Sequence, residues 1–235
     1  MARIEPIHCT LKNGERVVVR TAEENDAAAL AACHLDVRTT SEHTVTQPDE
    51  ARRDEAEERA WIRKHLDSPI GLLLLAQPAD RPGVALGSIV FKPNERRRMA
   101  HHGHFGLGIV STHRGVGLGR LMLQAVVDWA RAHPTIEKVC LGCFADNHRA
   151  LALYRSMGFV EEGRRLGEFR LEDGTLKDDV QMMLWVKDPR SRRGLSVGEW
   201  VERFGPRTQG PLGDGEGVVR DGADRARADV RRGSA

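Results

Sequence analysis

Three glycines in five residues, Gly115, Gly117 and Gly119, sit inside the stretch Ile109-Val110-Ser111-Thr112-His113-Arg114-Gly115-Val116-Gly117-Leu118-Gly119-Arg120-Leu121. An apolar run precedes them and an amphipathic run follows. A strand that ends in such a loop and continues into a helix aims successive backbone N–H groups and the positive helix end at one point. That is a site for an anion, and glycine lets the anion come close to the backbone. A Walker loop would close with Gly-Lys-Ser/Thr, which is absent. A dinucleotide fingerprint needs glycine where Arg120 stands, and an acidic residue closing the next strand, where Asp146 arrives at a longer spacing. A glycine-rich turn without a ligand is the plain alternative.

Other reactive types are sparse. Tyr154 is the only tyrosine. Cys140-Leu-Gly-Cys143 invites a zinc or redox reading, but residues three apart on a strand point to opposite faces and lie roughly 10 Å apart. A disulfide needs about 7 Å or less between Cα atoms. Small buried strand residues is the reading adopted. His101, His102 and His104 cluster, with His102 and His104 on one strand face. The further ligands a metal would need have no place in the sequence, so no metal is expected.

The elements that must position these groups follow from periodicity and turn chemistry. Ile7–Leu11 and Arg16–Arg20 flank Asn13-Gly14, the strongest short hairpin signal. Thr21-Ala22-Glu23-Glu24 reads as a capping box leading into a helix over Asp26–Leu35. A second helix is expected from about Asp49 to Leu66, with Ala60, Trp61 and His65 on one side. Strands are expected at Gly71–Ala76, Val84–Phe91, His102–Val110, Val139–Phe144, Phe159–Gly163 and Val180–Val186. Apolar Leu118, Leu121, Met122, Ala125, Val126 and Trp129 recur at helical spacing across Gly117–His133, before Pro134. Asn147–Met157 reads as a further helix with Gly158 as its C-cap.

Two motifs on these elements carry a resemblance. Arg114-Gly-Val-Gly117-Leu-Gly119 resembles the acetyl-CoA motif of the GNAT superfamily of N-acetyltransferases, Arg/Gln-x-x-Gly-x-Gly/Ala. Asn147-His-Arg-Ala150-Leu-Ala-Leu-Tyr154-Arg-Ser-Met-Gly158-Phe159 resembles that family's second signature. Glu162-Gly163, Asp173-Gly174 and Asp179-Val-Gln-Met182 are similar to the branch that acetylates ribosomal proteins and small amines. The match is strongest over residues 84–186.

The resemblance implies one α/β domain over residues 1–186. Its sheet would be mixed and mostly antiparallel, with helices on both faces. Two central strands near 104–110 and 139–145 would diverge to admit coenzyme A. The amides of Gly115, Val116, Gly117, Leu118, Gly119 and Arg120, with Arg114, would hold the pyrophosphate. The backbone of Ile109 and Val110 would bond the pantetheine arm, Asn147 would contact it, and Tyr154 would lie near the thioester sulfur. The implied reaction is acetyl transfer from acetyl-CoA to a primary amine, of a small molecule or a protein N-terminus, by direct attack in a ternary complex. A non-catalytic acyl-CoA-binding module is the alternative. It would tolerate loss of Tyr154 and Asn147, and both are present.

The chemistry sets two proton problems. An alkylamine, with a pKa of about 10, arrives protonated, and the leaving thiolate, at roughly 8.5, must be stabilised. Tyr154 suits the second task as an acid; its bland reading is a helix–sheet filler. Family members often place a carboxylate base on the strand before the glycine loop. The equivalent position here is His104, which titrates in a usable range. Exposed strand histidine is the bland reading, and Glu168 is a second base candidate. The segment Arg38–Gln47 between the first two helices is expected to shape acceptor specificity. The acidic residues Glu23, Glu24, Asp26, Glu42, Asp49, Glu50, Asp54 and Glu55 are read as a solvated face rather than an attractor for cations.

Composition bounds the rest. The chain has 235 residues, 40% hydrophobic and 30% charged, with a net charge of +2. That balance is no footprint of a dedicated nucleic-acid binder, and the longest apolar run is far too short to span a bilayer. The start carries no apolar signal region. Four cysteines suit a reducing, cytoplasmic setting rather than a disulfide framework. Residues 187–235 carry 11 basic and 8 acidic side chains, with Gly, Arg, Asp and Pro dominant. This tail is expected to be largely disordered, with a short helix near Leu195–Phe204. Its acidic residues argue against a nucleic-acid arm. A homodimer is compatible with all of this.

Overall fold

A computed structural model describes residues 2–47, 49–50, 54–68 and 70–187. The expectations for the tail beyond Lys187 lie outside the described residues.

The N-terminal hairpin forms as expected. Strand β1 (Ile7–Thr10) pairs antiparallel with β2 (Arg16–Thr21). Gly14 takes φ 85° in the turn, and Asn13 Oδ1 accepts from Glu15 N at 3.2 Å. The capping box shifts by two residues. Thr21 closes β2, and its hydroxyl accepts from Ile4 N at 3.1 Å. Glu23 and Asp26 take over, Glu23 N donating to Asp26 Oδ2 at 2.7 Å. Asp26 is 7% exposed and is gripped by both terminal nitrogens of Arg20, at 2.8 and 2.7 Å. Tertiary pairing outcompetes the local threonine cap.

Helix α1 (Ala27–Thr40) runs a turn longer than the sequence suggested. Helix α2 (Glu55–Leu66) starts later, at a capping box in which Glu57 N donates to Asp54 Oδ1 at 2.8 Å. Its buried stripe is Glu58, Ile62 and Leu66, each four residues from the next. Ala60, expected on the packed side, is exposed.

Strands β3 (Leu72–Pro78), β4 (Gly87–Pro93) and β5 (His102–Ile109) follow, then α3 (Leu118–Ala132), β6 (Lys138–Phe144) and α4 (His148–Ser156), and finally β7 (Val160–Arg170) and β8 (Leu176–Trp185). The eight-stranded sheet runs β1-β2-β3-β4-β5-β6-β8-β7. Every neighbouring pair is antiparallel except β5 with β6. This is the α/β fold expected, with helices on both faces.

That exception positions the site. Strands β5 and β6 pair only at His102–Lys138, Gly103–Val139 and His104–Cys140. Beyond His104, β5 stays with β4 as far as Ile109, while β6 stays with β8 as far as Phe144. The sheet therefore opens between residues 105–109 and 141–144.

Two cores hold the rest. Leu72, Leu74, Phe91, Leu118, Met122 and Val126 pack on the α3 side. Leu73, Leu75, Leu30, Ile62 and Leu66 pack on the α1–α2 side. Strand β3 is buried on both faces, which is why it reads as an uninterrupted apolar run.

Candidate active site

Strand β5 ends in a short 3-10 turn, Ser111–His113, and the glycine loop carries the chain into α3. Gly115 and Gly117 take φ 89° and 98°, the left-handed region that favours glycine. Gly117 caps α3, so the following amides of Leu118, Gly119 and Arg120 have no intrahelical acceptor. The Leu118 side chain is fully buried in the core and contributes only its backbone. Val116 O accepts from Lys12 N at 3.0 Å, which pins the loop to the N-terminal hairpin.

Two side chains lock helix α1 to this loop. Arg114 donates from Nε to Ile109 O at 3.0 Å and from Nη1 and Nη2 to Thr40 O and Oγ1 at 2.9 and 2.7 Å. It thereby satisfies a C-terminal carbonyl of α1. Asp36 accepts from Ser111 N at 2.7 Å and Ser111 Oγ at 3.1 Å.

The opening in the sheet continues into a cavity of about 630 Å³. Its walls come from the end of β5, the glycine loop, the start of α3, α4 and the segment after α1. Of the expected site residues, Ile109, Arg114, Gly115, Gly117, Gly119, Arg120, Asn147 and Tyr154 meet there. Val110, Val116 and Leu118 do not line it, and Val110 N is committed to Leu86 O at 3.0 Å. Arg120 also reaches Ser156 Oγ, tying α3 to α4.

Lys12 and Arg149 line the cavity as well. Neither stands out in the sequence. Lys12 lies in a hairpin turn a hundred residues away, and Arg149 fills an unspecified position of the second motif. A Cβ on Gly115 would stand 2.7 Å from Arg149 Nη2, so that arginine lies against the loop. With Arg114 and Arg120 they give the glycine-loop end four cations, suited to a phosphorylated ligand.

Asn147 caps α4, its Oδ1 accepting from Ala150 N at 3.1 Å. That bond leaves its side-chain N–H donors for a ligand. Tyr154 is 9% exposed and meets Phe105 edge-on at 5.8 Å. Burial raises its hydroxyl above the ordinary phenol range, with Cys143 adding to the effect. It therefore stays protonated, as an acid must.

His104 stands on β5 opposite Lys92 and Cys140, exposed and outside the cavity lining. Desolvation is the main cause lowering its pKa. Glu168 lies on β7 in an ion pair with Arg165 at 3.0 Å, also outside the lining. Among the described residues no group of His, Cys, Asp and Glu could hold a metal ion. Cys140 and Cys143 are free, buried thiols pushed up to about 12 by desolvation. Of the acidic residues read as a solvated face, Glu42 alone lines the cavity, while Asp26, Glu24 and Glu55 pair with arginines. Ser41, Glu42, His43 and Thr44 contribute to the wall from the segment expected to shape specificity.

Known proteins are similar to this chain in sequence and in fold. The chain is 30% identical over 95 residues to N-alpha-acetyltransferase 30 of Saccharomyces cerevisiae, covering 40% of this chain and 52% of that one. It thus spans about half the length of that relative. It is 23% identical over 166 residues to the L-amino acid N-acetyltransferase AaaT of Escherichia coli, covering 71% and 96%. A solved GNAT-family acetyltransferase from Streptococcus pneumoniae superposes with a TM-score of 0.67 at 27% identity, covering 72% and 99%. Residues 16–160 match the family described as "Acetyltransferase (GNAT) domain". That match takes in the hairpin's second strand, both sides of the opened sheet, the glycine loop and Tyr154, and this chain belongs to the GNAT family of N-acetyltransferases.

Proposed function

We propose that the protein moves the acetyl group of acetyl-CoA onto a primary amine, of a small molecule or a protein N-terminus, by direct attack in a ternary complex. One observation carries the reading. A single cavity joins a helix N-terminus ringed by four cations to a buried phenol beside the opened strands.

The glycine-loop end takes the pyrophosphate, through the free amides of α3 and the charges of Lys12, Arg114, Arg120 and Arg149. The pantetheine arm lies along Leu107–Ile109 in the gap that β6 leaves. The donors of Asn147 meet it from the other side. The thioester then reaches Tyr154, whose retained proton goes to the departing sulfur. Direct attack needs both substrates at once, and the gap between β5 and β6 gives the amine its own approach from the α1–α2 face. His104, exposed on that face, would serve as base only through a water. The free thiols accord with a cytoplasmic setting.

Calorimetry with acetyl-CoA, followed by thiol release on an amine panel, tests this. Binding at micromolar or tighter affinity with release on one acceptor is the expected result. Binding without release on any amine would favour a non-catalytic acyl-CoA module, and no binding would overturn the reading.

A further inference from the structure

The acceptor reaches the thioester as an ammonium ion and must lose a proton before it can attack. The titratable side chains lining the cavity are Lys12, Glu42, His43, Tyr154 and three arginines. Lysine and arginine side chains are cations rather than bases in neutral water, and burial keeps the Tyr154 phenol protonated. Glu42 is exposed, while His43 is half-buried, its side chain 28% exposed.

His43 sits in a defined place. Its backbone N–H donates to Ser41 Oγ at 3.3 Å, and its ring meets Phe144 edge-on at 5.6 Å. Phe144 is itself stacked on Phe169 at 4.0 Å. His43 Nε2 lies 3.3 Å from Asp146 Oδ1, an oxygen that is buried and carries no hydrogen bond. Asp146 Oδ2 accepts from Lys177 Nζ at 2.6 Å. A carboxylate anchored at one oxygen therefore turns its unsatisfied oxygen to one nitrogen of a cavity-lining imidazole. No described residue bonds the other nitrogen, Nδ1. The contact is electrostatic rather than a hydrogen bond: the carboxylate favours the imidazolium that forms when Nδ1 takes a proton, as a general base requires.

We propose that His43 is the base that deprotonates the acceptor amine, with Asp146 as the residue that positions it; this deepens the acetyl-transfer reading and rests on it. The ammonium group gives one proton to His43 Nδ1, forming an imidazolium beside the Asp146 carboxylate. The free amine adds to the thioester carbonyl and the C–S bond breaks. Tyr154 gives its proton to the sulfur and recovers one from the new amide nitrogen. The imidazolium returns its proton to solvent. One ammonium and one thioester thus become one amide, one thiol and one released proton. The charged groups facing the imidazole are Asp146, just after β6, with Lys177 of β8 behind it, and Glu42 in its own loop; Arg114 lines the same cavity but is bonded to Thr40 and Ile109.

The test uses the full chain with acetyl-CoA and three acceptors: spermidine, a free L-amino acid, and a short peptide with a free N-terminus. Wild type is compared with His43→Asn, Asp146→Asn and His104→Asn. On the accepted amine, His43→Asn is expected to lower kcat at neutral pH by about 10²-fold or more, with acetyl-CoA affinity within twofold of wild type. The deficit shrinks as pH rises toward the amine's pKa, because a free amine needs no base. Asp146→Asn gives a smaller loss and lowers the His43 titration read by NMR of its ring protons. Wild-type turnover in His43→Asn, or a deficit equal at every pH, would overturn the proposal. So would a pH-dependent deficit found in His104→Asn alone. Absence of thiol release by wild type would count against acetyl transfer itself. In that case the NMR titration judges the pair independently: a lowered His43 titration in Asp146→Asn supports it, and an unchanged one overturns it.

Discussion

Tyr154 carries two properties that usually conflict. In the proposed reaction it must reach the departing sulfur and keep its proton until then. Position in α4 against Phe105 and Phe159 supplies both, because burial disfavours the phenolate. Tyr154→Phe keeps the ring packing and removes only the proton. Turnover is therefore expected to fall by about 10²-fold or more, with acetyl-CoA affinity changed less than twofold, as checked by steady-state kinetics beside calorimetry. Tyr154 was legible in the sequence because a local motif surrounds it. His43 was not: its partner Asp146 lies a hundred residues on, and no spacing rule links a loop histidine to the end of a distant strand.

At the scale of elements, the glycine loop and the hairpin turn make a controlled pair. Gly14 and Gly117 have φ 85° and 98°; nothing crowds a Cβ at Gly14, and the nearest atom to one at Gly117 is Lys12 Cγ at 3.8 Å. An alanine at either pays only the left-handed backbone cost of about 1–2 kcal/mol. Gly14→Ala is expected to lower the melting temperature by a few degrees and leave acetyl-CoA affinity alone. Gly117→Ala is expected to do both, weakening acetyl-CoA about tenfold, because the loop relieves strain by turning its amides away. Equal affinity in the two variants would remove Gly117 from the phosphate site. Among the described residues the element types were read correctly, and the misses were boundaries. The charged alternation of Arg164–Arg170 hid the second half of β7, an edge strand whose stability comes from pairing with β8 rather than from burial. Asp26 closes the capping box with Glu23 because Arg20, on the neighbouring strand, makes its burial tolerable.

Across the whole molecule, buried charge carries a cost, and Asp179 shows it. It is 4% exposed on β8, with Oδ1 buried and unbonded, and desolvation raises its pKa. For a raised carboxyl the folded state holds its proton longer than the unfolded state. The penalty is absent below the unfolded pKa and sets in as pH rises through the folded one. Asp179→Asn is thus expected to raise the melting temperature by a few degrees at pH 7, with the gain vanishing near pH 3. A gain that persisted at pH 3 would assign the effect to packing.

By itself the sequence determined the α/β class, the order of strands and helices, the glycine loop with its helix, and the Asn147–Tyr154 signature. All of these are written within short windows, where turn chemistry, periodicity and motif spacing act. Tertiary structure alone decided that β5 and β6 part after His104, that Lys12 and Arg149 join the glycine-loop end of the cavity, and that His104 faces outward while His43 faces Asp146. Those facts depend on which distant segments share a wall, and contacts between residues far apart in the chain leave no mark in the spacing of either one.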